Sequence, residues 1–381
     1  MTAALNLTLT GARVLLPHGL DHAPLSLAEG RITDAPQPRR VDLTGFRVLP
    51  GIVDVHGDGF ERHLAPRRGA MRDLAQGLAA AEAELAANGI TTALLAQFWS
   101  WEGGMRGPDF ALRFLDALAD HPGLGTDMRA QLRMETHLLD DYPAIADAVA
   151  RFGIGYVVFN DHLPHAALSA GKRPPRLTGQ ALKSGRSPDD HLALMQRLHD
   201  QSAQVPAALD ALAARFLGAG VILGSHDDAT AAGRAAWRAR GVPVSEFPET
   251  HAAAAAARAG GDRIVLGAPN VVRGGSHSGN VAAADLIADG LCDALASDYH
   301  YPAPRQAALM LADRLGLPAA WDLVSGGPAR LLRLTDRGSL KPGLRADLIV
   351  LDDTGHVGAT IAGGRITHMT GAVAARFIAA A

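Results

Sequence analysis

Apolar positions run through this chain in two rhythms, and the change of rhythm divides it. From residue 5 to 50, polar and apolar positions alternate in short runs punctuated by glycine and proline. Leu7 to Leu16, Pro24 to Leu27, Arg31–Ile32 after a Glu29–Gly30 turn, and Val41 to Leu49 read as short strands. The same pattern returns at Ala346 to Leu351 and at Val357 to Thr367. The two ends are therefore expected to build one small β-sandwich domain (1–50 and 335–381), with 51–334 as an insertion.

Inside the insertion, continuous apolar runs alternate with Ala- and Leu-rich stretches of helical spacing. Candidate strands are Gly51–Val55, Thr91–Ala96, Ala130–Thr136, Gly155–Phe159, Val221–Ser225, Val244–Phe247, Arg263–Ala268 and Ala294–Ser297. Candidate helices include Arg72–Asn88 and His191–Gly218. Strand and helix alternating about eight times predicts an α/β fold, a (β/α)8 TIM-type barrel. A doubly wound sheet is the alternative, but no Gly-rich dinucleotide fingerprint follows the first strand. Pro164 to Arg186 lacks periodicity and is expected to be a polar loop carrying Lys172, Arg173, Arg176, Lys183 and Arg186. Ser187-Pro188 then has the form of a helix start.

Composition narrows the function classes. The 381 residues are 48% hydrophobic and 20% charged, with a net charge of -3, so there is no basic field for nucleic acid. Cys292 is the single cysteine, which excludes an intramolecular disulfide and a thiolate metal cluster. Met1 to Gly11 has no signal-peptide pattern, and Ala252 to Ala257 is too short to span a bilayer. A cytoplasmic protein with no membrane partner is expected; a homo-oligomer is left open.

In a barrel, polar residues just after each strand face the active site. Reading each strand to its end gives His56 and Asp58, then Glu135 with His137 beyond, then Asn160-Asp161-His162. His226-Asp227-Asp228, Glu246, Asn270 and Asp298 follow. So many ionisable groups converging would each cost several kcal/mol unless paired or bound to a cation. The reading is a site for one or two divalent ions held by His56, Asp58, Glu135, His226 and Asp298. Asp298 would also serve as general base, and Asp161, His162 and Glu246 would be direct ligands or supports. Nitrogen and oxygen ligands suit Zn2+ first, with Mn2+, Fe2+ or Ni2+ also compatible.

Leu49-Pro50-Gly51-Ile52-Val53-Asp54-Val55-His56 resembles the first barrel strand of the amidohydrolase superfamily. Gly338 to Leu348 resembles its return to the β-domain. Ser225 to Thr230, Glu246-Phe247-Pro248, Gly267 to Val281 and Ser297-Asp298-Tyr299 are similar to the PhnM family. That family's members are alpha-D-ribose 1-methylphosphonate 5-triphosphate diphosphatases of the carbon–phosphorus lyase pathway. The resemblance implies metal-dependent hydrolysis of a ribose 5-triphosphate, with pyrophosphate released by metal-activated water. Where the family usually has His-Thr-Asp-Asn, this chain has His56-Gly57-Asp58-Gly59, and Gln97 to Gly104 is also unlike the family form. Phe98, Trp99 and Trp101 in that stretch would either stack on a substrate ring or pack between helices. Arg273 in a Gly-rich turn, with Asn270, His277 and Ser278, would bind the phosphorylated small molecule, and Lys172, Arg173 and Arg176 would either close over it or be solvated. A cyclic-amide hydrolase or deaminase of the same superfamily, and a non-catalytic binding module, are the competing readings.

Overall fold

A computed structural model describes residues 4–65, 73–275 and 279–380. Eight strands form one parallel sheet in chain order: Ile52–Gly57, Ile90–Trp99, Asp127–Glu135, Tyr156–Asn160, Ile222–His226, Val244–Glu246, Arg263–Gly267 and Ala294–Ala296. A backbone bridge from Gly57 to Asp298 joins the first strand to the segment just past the eighth, giving the nearly closed barrel. The first and second strands are buried at every position, which is why they read as continuous apolar runs rather than alternating ones. The chain divides into two compact units. One contains Met1–Leu95, His121–Arg129 and Val265–Ala381; the other contains Ala96–Asp120 and Ala130–Ile264.

In the first unit, strands from both chain ends share a sheet. Arg47–Pro50 pairs antiparallel with Leu348–Leu351 and parallel with Arg13–Leu16. In a second sheet Leu7–Thr10 lies between Leu25–Ala28 and Arg40–Asp42. Leu7, Leu27, Val41, Val48, Leu348 and Ile361 belong to one buried cluster. Where Arg47–Pro50 passes into the barrel, Trp321 Nε1 donates to the Pro50 carbonyl at 2.9 Å. The helix Leu74–Ala87 starts at Asp73, whose side chain accepts from the Ala75 amide. Its return to the second strand passes through Gly89 at φ +84°, where a Cβ would meet the Ile349 side chain at 2.1 Å.

Asp347 lies where the chain returns from the barrel to the terminal sheet. Its buried carboxylate accepts from the Gly363 amide at 2.7 Å and pairs with Arg345 at 3.0 Å. Burial nevertheless pushes this carboxyl up to about 6, against the pull of Arg345, Gly363 and Arg337. An acid raised in the folded state holds a proton that the unfolded chain has lost between about pH 4 and pH 6. Its contribution to stability therefore falls as pH rises through that window. We expect Asp347→Asn to flatten the slope by up to roughly 3 kcal/mol between about pH 4 and 6, measured from urea midpoints. Equal slopes in the two proteins would contradict this account of Asp347.

The second unit differs from the sequence expectation in two places. The run read as one helix from His191 to Gly218 is two, Pro188–Asp200 and Val205–Gly218, with a short 3-10 turn at Ser202–Gln204 between them. Pro206 sits in the first turn of the second helix, where its missing amide costs nothing. The stretch 164–186 is not a bare loop: it carries the helices His165–Ser169 and Leu177–Ser184. Leu168 and Leu177 anchor them in a buried cluster with Trp101, Leu163, Met195 and Leu198. Ser187 does cap the next helix, accepting from the Asp190 amide at 3.1 Å. Among the described residues no helix is long and apolar enough to cross a membrane.

Candidate active site

Polar side chains collect at the carboxyl ends of the strands, and the backbone there is unusual. Asp227, Phe247 and Asp298, each just past a barrel strand, have φ between 52° and 59°. L-residues other than Asn and Asp rarely adopt this left-handed conformation, and a Phe there is an outlier. Such geometry persists where the surrounding structure enforces it, and it clusters at functional sites.

In the first unit, His56, Asp58 and Asp298 are brought together through the main chain. The Asp58 amide donates to the Asp298 carbonyl at 2.8 Å, and the Asp298 amide donates to the His56 carbonyl at 2.9 Å. His56 is fully buried. The helix after Asp298 begins at Ala303 with Pro302 at its cap, so Asp298 does not cap it. Beneath this ladder lies Asp54, which sequence reasoning passed over as part of an apolar strand. Its carboxylate accepts from the Ser297 amide at 2.9 Å and the Ser297 hydroxyl at 2.5 Å. Burial still pushes the Asp54 carboxyl up. The pair ties the first strand to the residue preceding Asp298.

Two residues expected to contact substrate have other settings. Asn270 Oδ1 accepts from the Ala283 amide at 3.0 Å and its amide group donates to the Val281 carbonyl at 3.4 Å, which fixes the entry to the helix Ala283–Ala288. Arg273 lies exposed in the last turn of the helix Ala268–Arg273, with Gly274 in the left-handed region and Nε donating to the Gly275 carbonyl. A helix end presents carbonyls rather than amides, so among the described residues of this turn the guanidinium is the group offered to an anion. His277 and Ser278 lie outside the described residues.

In the second unit, Gln131, Arg133 and Glu135 occupy alternate positions of the third strand and are all buried. Alternation puts them on one face. Glu135 is surrounded by donors: the His162 amide at 3.1 Å, His162 Nδ1 at 2.5 Å, and Trp101 Nε1 at 3.3 Å. Burial works against charge on His162, but the Glu135 carboxylate outweighs it and holds the ring above its ordinary range.

His226 and Glu246 end neighbouring strands as register partners. Glu246 is fully buried and accepts from Gln131 Nε2 at 2.8 Å and the Tyr156 hydroxyl at 2.6 Å. His226 Nδ1 lies 2.9 Å from the Asp227 carboxylate, and Arg133 Nη2 lies 3.0 Å from His226 Nε2. A guanidinium can only donate, so Nε2 is the acceptor and Nδ1 carries the proton toward Asp227. Burial would raise Asp227, yet His226, Arg133 and His162 hold it below the ordinary carboxylate range. This carboxylate–imidazole pair is the arrangement that fixes a histidine tautomer for a metal, with the Nε2 lone pair facing Arg133.

Two arginines on which the arrangement depends were not picked out in the sequence. Arg133 passes for a strand residue, and only the polar alternation at 131, 133 and 135 could have marked it. Its guanidinium also lies over the Phe98 ring at 4.0 Å, and Arg106 lies over the same ring at 4.2 Å. Arg234, on the helix Ala231–Ala239, is fully buried. It donates to the Ser225 hydroxyl at 2.7 Å and to the Val244 and Val242 carbonyls, and pairs with Asp228 at 3.2 Å and Asp262 at 3.1 Å. Asp228 additionally accepts from Ser245 at 2.6 Å. Ser225, just before His226, and Val244, two residues before Glu246, are thus held by one guanidinium, and no local pattern signals a charge buried in a helix.

Of the aromatic stretch, Phe98 lies beneath Arg133, while the two tryptophans are packed. Trp99 is buried with Nε1 on Asp141 at 2.8 Å, and Trp101 sits in the apolar cluster with its ring 5.6 Å from His191. Arg173 pairs with Asp189 at the surface, both well exposed, and Lys172 and Arg176 are also exposed.

No family profile matches the chain. It is 34% identical over 328 residues, 82% of this chain and 85% of the other, to alpha-D-ribose 1-methylphosphonate 5-triphosphate diphosphatase of Escherichia coli strain K12. Among solved structures it is similar to a prolidase complexed with N-methylphosphonate-L-proline, at 15% identity and a TM-score of 0.63 over 96% of this chain and 100% of that one. It is also similar to an adenosine deaminase from Xanthomonas campestris with bound zinc, at 13% identity and a TM-score of 0.54 over 98% and 97% of the two chains. These structural likenesses show the barrel fold. Sequence identity at that level across that much of both chains decides the family: the chain belongs to the alpha-D-ribose 1-methylphosphonate 5-triphosphate diphosphatase family.

Proposed function

We propose that this protein hydrolyses a phosphonate-bearing ribose 5-triphosphate and releases pyrophosphate. The observation that carries the reading is the carboxylate-held His226, with Nε2 as acceptor, in a chain of this family. His56, Asp58, Glu135, His226 and Asp298 are the proposed holders of a divalent ion, Zn2+ first among the candidates, and Glu246 is a support whose Oε1 is already taken by Gln131 and Tyr156. A divalent ion bound there would supply Lewis-acid charge for phosphoryl oxygens and acidify a water. Asp298 is the proposed base, and it would take the proton from the attacking water. Arg133 is the buried cation offered to the triphosphate; a planar fork suits phosphate oxygens, and moving from His226 Nε2 to the substrate would free that lone pair. The small β-sandwich of 1–50 and 335–381 is proposed as a separate domain, and the cytoplasm as the location.

The direct test incubates the purified protein with zinc and alpha-D-ribose 1-methylphosphonate 5-triphosphate, following products by phosphorus NMR. Pyrophosphate formation well above a His226→Ala control is expected. Equal release by the two proteins, or none by either, sinks the reading. Arg133→Lys keeps the charge but loses the fork; we expect kcat/KM to fall about tenfold to a hundredfold, a loss of about 1.5–3 kcal/mol, seen in initial rates. An unchanged kcat/KM would remove Arg133 from the site.

A further inference from the structure

We propose that His137, Asp161 and His165 form a second divalent-cation site, suited to zinc, distinct from the strand-end ligands above. One donor atom from each lies within 4.8 Å of the other two. His165 Nε2 is 3.0 and 3.1 Å from the two Asp161 oxygens, and His137 Nδ1 is 3.5 Å from Oδ1. Tetrahedral arms of about 2.0–2.1 Å put neighbouring ligand atoms about 3.3–3.4 Å apart, so these edges are close to what the ion needs. Two imidazoles and one carboxylate are also a donor set that zinc takes.

Proton bookkeeping supplies the second argument. The Ser202 hydroxyl donates to the His199 carbonyl at 2.5 Å, so its oxygen must accept from His137 Nε2 at 3.2 Å. That assignment puts a proton on His137 Nε2, so in the neutral ring the Nδ1 lone pair faces the Asp161 carboxylate. Two acceptors facing each other repel unless a proton or a cation lies between them. The Thr136 hydroxyl, 3.3 Å from Nδ1, can offer one hydrogen but does nothing for Asp161. A cation satisfies all three donors at once.

The placement gives the site a job. His137 follows the third strand and is nearly buried, whereas the Asp161 and His165 side chains are 39% and 35% exposed, leaving an open side for exchange. His165 belongs to the short helix His165–Ser169, and its Nδ1 lies 2.7 Å from His199 Nδ1 on the helix Pro188–Asp200. His199 Nε2 is in turn 3.1 Å from the Ser169 hydroxyl. An ion here would pin that five-residue helix, already anchored by Leu168, to the ends of the third and fourth strands.

The test uses the full chain, stripped with chelator, reloaded with zinc and desalted, with metal counted by mass spectrometry. The wild type is expected to retain one equivalent more than His165→Gln, while His226→Ala keeps this equivalent and loses another. Cadmium-113 NMR should show a resonance in wild type that is missing in His165→Gln and present in His226→Ala. Circular dichroism checks that each variant is folded. Should His165→Gln misfold, the His226→Ala spectrum alone decides. Equal metal content in wild type and His165→Gln overturns the proposal, as does loss of every ion from His226→Ala. Either result leaves the pyrophosphate assay free to stand or fall separately.

Discussion

Asp298→Asn is expected to lower kcat for pyrophosphate release by about a hundredfold to ten-thousandfold, the range a positioned general base contributes. Asparagine keeps the shape of the side chain and, with it, the backbone ladder in which the Asp298 amide and carbonyl meet His56 and Asp58. It tolerates the left-handed backbone at φ 56° as well as aspartate does. The substitution therefore isolates the carboxylate. Its rising limb with pH should disappear along with the rate, because the group whose ionisation sets that limb is gone. A kcat within about tenfold of wild type, with the limb intact, would assign the base elsewhere.

The second large effect is on stability. Arg234→Met should destabilise the fold by about 3–5 kcal/mol, because it removes the cation facing two buried carboxylates and leaves Asp228 without one. Asp228 and Asp262 both face that guanidinium; without it Asp262 keeps a cation in Arg238 at 2.6 Å, whereas Asp228 keeps only the Ser225 and Ser245 hydroxyls. Methionine roughly preserves the volume, so the loss reports charge and hydrogen bonding rather than a cavity. Urea denaturation gives the measurement, and a loss below about 1 kcal/mol would show that Arg234 is a bystander. Arg234→Met and Asp228→Asn combined should cost less than the sum of the two alone, since they remove members of one network.

These two predictions rest on parts of the molecule that were unequally visible in the sequence. The eight parallel strands were legible because buried strands cannot hide: Val53, Val55, Leu94, Leu95, Val157 and Val158 must all be apolar when both faces are covered. Strand ends were legible to within a few residues, except that the second strand runs on through Trp99 because Gln97, Phe98 and Trp99 are buried too. The residues after the strands were legible as chemistry, since a His or Asp following an apolar run has few structural reasons to be there. What could not be read was which carboxylates serve which partner. Asp228 sits in the same motif as His226, yet it is bound to Arg234, Ser225 and Ser245. Asp161 follows the fourth strand like a ligand of the central site, yet its contacts are with His165 and His137. Most of those partners are near in the chain, but each carboxylate had several polar neighbours within reach, and only the folded backbone decides which one it faces. Arg133 and Arg234 were invisible for a related reason: charge is expected outside, and a buried arginine is recognised only when its partners are seen.

The helices of 164–186 were missed on different grounds. They are short, five and eight residues, and their apolar anchors Leu168 and Leu177 are too few to give a period. Packing against Trp101 and Met195 orders them, not their own propensity.

The central claim is that cleavage of the triphosphate depends on an ion gathered by His56, His226 and Asp298. The measurement closest to it is pyrophosphate release as a function of bound metal, from stripped protein reloaded in graded steps. We predict that stripped protein is inactive and that activity climbs with metal content to a plateau, with His226→Ala staying at the baseline throughout. Full activity in protein shown to carry no metal would contradict the account outright.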